Sequence, residues 1–486
     1  MASLEELMDE RKHKLKELHS AGVNPYPAKS ERTTTNKEFL DNFDSANETD
    51  TFIVAGRVHA RRDFGKLTFL VIEDETTRLQ LFIQSKELSA ETQALLDHIE
   101  RGDIVQGTGT TTITKTGEHS LNCTDLKLLT KAIRPLPEEW FGMKEHEERY
   151  RRRYVDLIMN PEVRQSFRLR STYIHELRTF WQALDFMEVE TPILEHVPGG
   201  AEAEPFITHH NTLDMDMYLR ISLELHQKRL LVGGYEKIFE LGKVFRNEGM
   251  SRQHLQEFTS FELYWAYADY HQLMEKVEEC ISAVVQKLFG ATTTEFEDTT
   301  LDWKAPWPRI KYGEIFKEKT GIDLENTTRD VLFDYATKEN IKVAPSMQKG
   351  RLIDTIYKSK VRPLIIQPTF LVDHPVEISP LSKQHDDNDA IVERFQTVVM
   401  GAEVTNGWSE LNDPIEQRHR FEEQLELRKK GDKEAYMMDV DYIESLEYGM
   451  PPAAGMGIGV DRLFMILTDA ASIRDVVFFP IMKPKE

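Results

Sequence analysis

The spacing of apolar positions changes twice along the chain. Leu4, Leu7, Leu15 and Leu18 recur near helical spacing until Gly22 and Asn24-Pro25-Tyr26-Pro27 interrupt them, which predicts a short leading helix over residues 3–20. From Thr51 the pattern becomes alternation. The runs beginning at Thr51, Leu67, Leu79 and Ile104 read as short strands within a stretch ending near Leu129, enough for a small closed β-barrel. Pro135-Leu136-Pro137 reads as a linker, and beyond about Tyr150 the pattern is mixed. A helix near Val163 to Leu184 leads into Phe186-Met187-Glu188-Val189-Glu190-Thr191-Pro192, where the Thr-Pro step breaks the period. Strand-like runs at Leu364-Ile365-Ile366 and Phe370-Leu371-Val372 alternate with helical ones such as Glu416 to Lys430. The expected organisation is α+β in four parts: a lead-in over 1–50, a barrel over 51–134, a linker over 135–150 and a large mixed domain over 151–486. No repeat or low-complexity tract is present.

Composition narrows the classes of function. At 486 residues the chain is long enough for two or three domains. No apolar run can span a membrane, and the charged first residues lack the unbroken apolar core of a secretory signal, so a cytoplasmic protein is expected. Cys123 and Cys280 stand far apart without metal-ligand neighbours, so neither a disulfide framework nor a zinc site is indicated. A net charge of −22 argues against a protein coated in nucleic acid and against a DNA partner, but it leaves room for local basic patches. Two occur: Arg57, Arg61, Arg62 and Lys66, and Arg149-Tyr150-Arg151-Arg152-Arg153-Tyr154. Taken alone, each is open to two readings, a solvated face or a contact with nucleic acid.

No GxGxxG and no GxxxxGK[ST] follows a strand, so a bound nucleotide has to be held in another way. Phe245-Arg246-Asn247-Glu248, followed by His254, Phe258, Glu262 and Tyr264, offers a phosphate clamp, an aromatic platform and carboxylates in one short stretch. A planar guanidinium can bridge carboxylate and phosphate oxygens in fixed geometry, and an arginine over an aromatic face gains cation–π attraction. Gly455-Met456-Gly457-Ile458-Gly459 before Val460-Asp461-Arg462 reads as a glycine-rich turn opening a helix, where backbone and ligand can approach closely.

These stretches resemble motifs 2 and 3 of the class II aminoacyl-tRNA synthetases, and the residues around them resemble the lysyl-tRNA synthetases. The resemblance runs from the barrel through Ile366-Gln367-Pro368-Thr369-Phe370 and Glu377-Ile378-Ser379-Pro380-Leu381 to Phe479-Pro480. It implies an N-terminal OB-fold that binds the anticodon, then a catalytic domain built on an antiparallel sheet flanked by helices. The implied reaction joins L-lysine to ATP as lysyl-adenylate, releases pyrophosphate and passes lysine to the 3′ end of its tRNA. In that pattern Arg246 meets the amino-acid carboxylate and the α-phosphate. Phe258 stacks the adenine, Arg462 covers its other face, and Glu248 and His254 complete the ATP site. Glu410, with Tyr264, receives the lysine ε-ammonium. Glu224 and Glu262 face the α-ammonium or the pocket floor, and Gly200, Asn406 and Trp408 complete the lysine pocket.

One carboxylate about 4 Å from an ammonium attracts it by roughly 4 kcal/mol at an effective dielectric near 20. That is enough to discriminate against neutral side chains. The resemblance also implies Mg²⁺ on Glu403 and on Gln396, a position where the family pattern carries glutamate. Glu204 stands where arginine is usual, Trp408 where phenylalanine is typical, and Arg252-Gln253-His254 departs from Arg-His-Asn. In the barrel, Phe69 and Gln80 fall where the family reads the anticodon, and Arg61 and Arg62 where it contacts the same RNA. The stretch ending at Thr191-Pro192 resembles motif 1, which implies a homodimer. Three other readings are weighed: an aspartyl or asparaginyl enzyme, against which Glu410 counts; a lysine-adenylating enzyme that modifies another protein, against which the barrel counts; and a catalytically silent tRNA-binding paralogue, against which Arg246, Phe258 and Arg462 count.

Overall fold

The computed structural model describes residues 3–47, 49–137, 146–432 and 434–485. The chain divides into two compact units, residues 1–144 and 145–486. Residues 138–145 of the expected linker lie outside the described residues.

In the first unit the leading helix spans Leu4–Ser20 and opens with a capping box between Ser3 and Glu6. Five strands follow: β1 (Phe52–Phe64), β2 (Leu67–Glu73), β3 (Arg78–Gln84), β4 (Ile104–Ile113) and β5 (His119–Thr130). They close in the order β1-β2-β3-β5-β4, with β3 and β5 parallel and the other pairs antiparallel. Val54, Leu70, Ile72, Leu81, Ile83, Val105 and Leu121 point inward, as alternation requires. The alternation reading did not single out β5, because Asn122, Thr124 and Asp125 interrupt its apolar period and its register shifts opposite Thr108 and Gly109. A Cβ at Gly109 would overlap the Asn122 carbonyl, so the bulge depends on that glycine.

In the second unit the main sheet holds β6 (Met187–Glu188), β10 (Lys237–Phe245), β11 (Glu257–Ala266), β14 (Arg309–Lys311), β15 (Thr369–Pro375), β16 (Gln384–His385), β17 (Asn388–Val399), β18 (Ala402–Ser409) and β19 (Ala453–Gly459). A small sheet is made by β7 (Leu194–Glu195), β8 (Ile207–His210) and β9 (Met215–Leu219), and a hairpin by β12 (Thr293–Phe296) and β13 (Thr299–Asp302). The main order is β14-β15-β17-β18-β19-β11-β10-β6, with β16 beside β17. All pairings are antiparallel except those of the edge strands β6 and β14. Helices Pro161–Gln182, Tyr270–Phe289 and Val460–Leu467 contribute Tyr173, Leu177, Trp181, Val277, Ile281, Leu463 and Phe464 to one core with Phe239, Phe261 and Met456 of the sheet.

Three expectations change. Leu364-Ile365-Ile366 is a turn, not a strand: Pro363 and Pro368 flank it, and the carbonyls of Ile365 and Ile366 accept from Gly401 and Met400 instead of a ladder partner. Gly455, Gly457 and Gly459 lie along strand β19, and the helix opens only at Val460. The arginine run from Arg149 is divided: Arg152 and Tyr154 are exposed, but Arg153 is not part of a solvated face. Arg153 is buried and donates to the carbonyls of Phe478 and Arg474 while pairing with Asp156 at 2.7 Å, so it clasps the C-terminal segment. Cys123 and Cys280 are buried free thiols, as expected. Among the described residues no helix is long and apolar enough to cross a membrane.

Candidate active site

A cleft of about 970 Å³ opens on the sheet of the second unit. Of the residues singled out there, Gly200, Glu224, Arg246, Glu248, His254, Phe258, Glu262, Tyr264, Gln396, Glu403, Asn406, Trp408 and Arg462 all line it. Glu410 does not line the cleft; it is buried beside it.

One wall is cationic. Strand β10 ends at Phe245 and delivers Arg246, whose Nε donates to the Ile221 carbonyl at 3.2 Å. Its guanidinium lies 5.2 Å from the ring centroid of Phe258, which β11 sets opposite Val244. Arg462, in the first turn of its helix, donates through Nη1 to the Glu403 carbonyl at 2.7 Å, while its buried Nε is unpartnered. His254 is held neutral: burial, then the charges of Arg462, Arg362 and Arg246, push its pKa down to about 4. Arg362 and Lys358, which sequence reasoning passed over, line the same wall. No short motif surrounds them, and the turn after Ile356 that carries them is visible only in three dimensions.

Neighbouring strands β17 and β18 carry the expected metal donors. Gln396 Nε2 donates to Glu403 Oε2 at 2.8 Å, and Gln396 Oε1 is buried without a partner. Among the described residues no group of three or more His, Cys, Asp or Glu is placed to hold a metal. Two oxygen donors nevertheless suit Mg²⁺, which keeps waters and takes further oxygens from substrate phosphates.

The other end is acidic. Glu262 of β11 is buried and accepts from Ser222 Oγ, Ser260 Oγ and the Leu223 N–H; burial, then Glu224, pushes its pKa up to about 7. Glu224 begins helix Glu224–Val232, and Lys228 one turn later reaches its Oε1 at 2.5 Å. The same ammonium pairs with Glu410 Oε2, which also accepts from Trp408 Nε1 at 2.8 Å. Burial raises the pKa of Glu224 and of Glu410, and the Lys228 charge opposes that rise. Burial works against the lysine charge too, but the two carboxylates outweigh it and keep Lys228 an ammonium. Glu410 Oε1 has no partner. It lies where a Cβ at Gly455 would overlap it, beside Tyr264. Gly200 adopts φ +81° against Ser222 and Glu224, where a Cβ would crowd both. Asn406 accepts from Arg394 Nε at 3.0 Å. Lys228 and Arg394 were not anticipated; the i, i+4 relation of Glu224 and Lys228 was the available signal.

In the barrel, Phe69 of β2 stands opposite Arg62 of β1 and Phe82 of β3, with Phe64 and Phe82 at ring distances of 5.9 and 5.4 Å. Arg62 is exposed. Gln80 donates to Ser120 Oγ at 2.9 Å. Arg61 is engaged within the unit, by Asp63 and the carbonyls of Leu96 and Ile99.

Residues 145–483 match the tRNA synthetases class II (D, K and N), and residues 52–129 match the OB-fold nucleic acid binding domain. The chain belongs to the class II aminoacyl-tRNA synthetases of the aspartate, lysine and asparagine group. It is 48% identical over 486 residues to a lysine–tRNA ligase of Pelotomaculum thermopropionicum, covering 99% of this chain and 96% of that one. It is 47% identical over 484 residues to the lysine–tRNA ligase of Carboxydothermus hydrogenoformans, covering 99% of each.

Proposed function

We propose that this chain is a lysine–tRNA ligase that activates L-lysine with ATP and transfers it to tRNA. The observation that carries the reading is the polarity of one cleft: Arg246, Arg362 and Arg462 at one end, and Glu224 and Glu262 at the other, with Glu410 buried beside them. A substrate with a carboxylate and phosphates in the middle and ammonium groups at the far side fits that gradient. Attack of the lysine carboxylate on the α-phosphate of ATP needs no protein nucleophile, only alignment and positive charge on the developing pentavalent centre. Arg246 supplies both, bridging the two reacting groups from the end of β10. Phe258 supports the adenine ring, Arg462 faces it, and a neutral His254 donates or accepts a hydrogen bond without adding charge. Glu403 and Gln396 Oε1 would hold Mg²⁺, which would supply neutralisation of phosphate charge. The terminal ribose hydroxyl of the tRNA then attacks the acyl carbon, and AMP leaves.

An aspartate side chain would need a free cation at the acidic end. Lys228, beside Glu410, is already shared between two carboxylates, and Arg394 donates to Asn406, the Ile378 carbonyl and Ser379, which disfavours the aspartyl reading. The barrel supports anticodon recognition through Phe69, Gln80 and Arg62, since single-stranded bases stack on aromatics while arginine meets phosphate. Exposed apolar side chains on and beside the Thr191-Pro192 stretch, Met187, Ile193, Leu194 and Ile207, support a homodimer. The protein would work in the cytoplasm. The test is amino-acid-dependent ATP–pyrophosphate exchange across all twenty amino acids with excess Mg²⁺. Exchange with lysine alone is expected; exchange with aspartate or asparagine, or none at all, would overturn the reading.

A further inference from the structure

Glu410 uses its two carboxylate oxygens differently. Oε2 takes both the Lys228 ammonium and the Trp408 indole N–H, while Oε1 is buried with no partner. Oε1 sits under Gly455, which lines the cleft and has no side chain to cover it. The lysine that fixes this arrangement has a fully buried side chain and does not line the cleft. We propose that Lys228 is a positioning residue for amino-acid selection, holding Glu410 by Oε2 so that Oε1 faces the substrate and setting the charge of the pocket. This rests on the lysine-activating reading above.

The charge count supports it. Glu224, Glu262 and Glu410 bring three carboxylates into one buried region; when all three are ionised, Lys228, which pairs directly with two of them, cancels one charge, while Arg394 acts on Glu224 through its charge alone. Two negative charges remain, matching the two ammonium groups of a lysine substrate whose carboxylate is met by Arg246. An amino acid with one ammonium leaves a buried carboxylate unmatched, which is costly. Without Lys228 even lysine would leave one unmatched. The titratable groups facing Nζ are Glu224 on its own helix, Glu410 after β18, Tyr442 from helix Val440–Glu447 and buried Tyr436, with Glu262 and Tyr264 of β11 beyond them; Arg394 of β17 is the other cation acting on Glu224.

The experiment compares the full-length protein with Lys228→Gln in lysine-dependent exchange from pH 6 to 9, with melting curves to verify folding. Lys228→Gln is expected to raise the KM for lysine roughly tenfold or more at pH 7, leave the KM for ATP unchanged, and move the pH at which lysine KM improves upward by about one unit, because Glu410 then holds its proton longer. A loss equal at every pH, or one shared by the ATP KM, would overturn the proposal. If Lys228→Gln does not fold, calorimetry of lysine binding to the unsubstituted protein in two buffers at pH 6 decides. With Lys228 keeping one acid ionised, no more than about two protons leave on binding, and a count near three overturns it. Absence of lysine-dependent exchange in the unsubstituted protein would instead sink the functional reading.

Discussion

Gln396 donates its side-chain amide to the Glu403 carboxylate across 2.8 Å, from adjacent strands of the central sheet. One carboxylate and one amide oxygen therefore stand where the family pattern places two carboxylates. The amide can coordinate but contributes no charge, so Mg²⁺ is attracted less strongly. Gln396→Glu is expected to lower the Mg²⁺ concentration for half-maximal exchange severalfold. It should also steepen the Mg²⁺ dependence of the melting temperature with a non-hydrolysable ATP analogue present. Identical Mg²⁺ curves for both proteins would show that Gln396 does not face the ion.

A second prediction concerns Gly455. Its Cβ position is occupied by Glu410 Oε1 and the Tyr264 ring, so Gly455→Ala must push one of them away. Displacing a positioning group by about 1 Å can cost about a hundredfold in rate. We expect a loss of that order in kcat/KM for lysine, with the KM for ATP retained, measured by exchange. Unchanged lysine kinetics would mean that the Glu410 carboxylate plays no part in selection.

How far the site could be read in advance depended on whether its residues sit in a contiguous pattern. Arg246, His254, Phe258 and Glu262 follow one another along the β10–β11 hairpin, so their order in one stretch, together with its resemblance to motif 2, brought them forward. Lys228, Arg362 and Arg394 belong to separate elements and meet the others only after the sheet assembles. The barrel showed a similar division: β2 alternates cleanly and was legible, whereas β5 carries a bulge and polar residues that break its period. The β19 glycines misled because a strand without side chains and a tight turn use the same residue. What decides between them is the ladder to β11 and β18, a long-range property.

Glu195 provides a pH-dependent test of stability. Its Oε2 is buried without a partner, its Oε1 lies 3.5 Å from His226, and burial, only partly opposed by Arg220, raises its pKa to about 8. A carboxyl whose folded pKa exceeds its unfolded value favours the folded state below the unfolded pKa, and this contribution is lost as pH climbs through the folded one. The loss here spans the window from about 4.5 to about 8. Glu195→Gln cannot ionise. Its melting temperature should match the unsubstituted protein near pH 5 and exceed it increasingly toward pH 9. A constant difference across that range would show that Glu195 does not titrate there.

The last prediction separates the two units by function. Phe69 lies between Phe64 and Phe82 on the barrel, opposite exposed Arg62, whereas Arg61 has Nε and Nη1 occupied by Asp63 and the carbonyls of Leu96 and Ile99. Base stacking on an aromatic contributes about 1–3 kcal/mol, so Phe69→Ala is expected to weaken tRNA binding by roughly 5- to 150-fold. Lysine-dependent exchange needs no tRNA and should be unaffected. Arg62→Ala should weaken binding less and mainly flatten its salt dependence, because a phosphate contact carries little base information. Arg61→Ala should instead lower the melting temperature of the barrel, since it removes hydrogen bonds to two main-chain carbonyls. The three variants are therefore distinguished by filter-binding titrations at several salt concentrations alongside melting curves. If Arg61→Ala weakened tRNA binding as much as Phe69→Ala without loss of stability, the RNA-facing side of β1 would have to be reassigned.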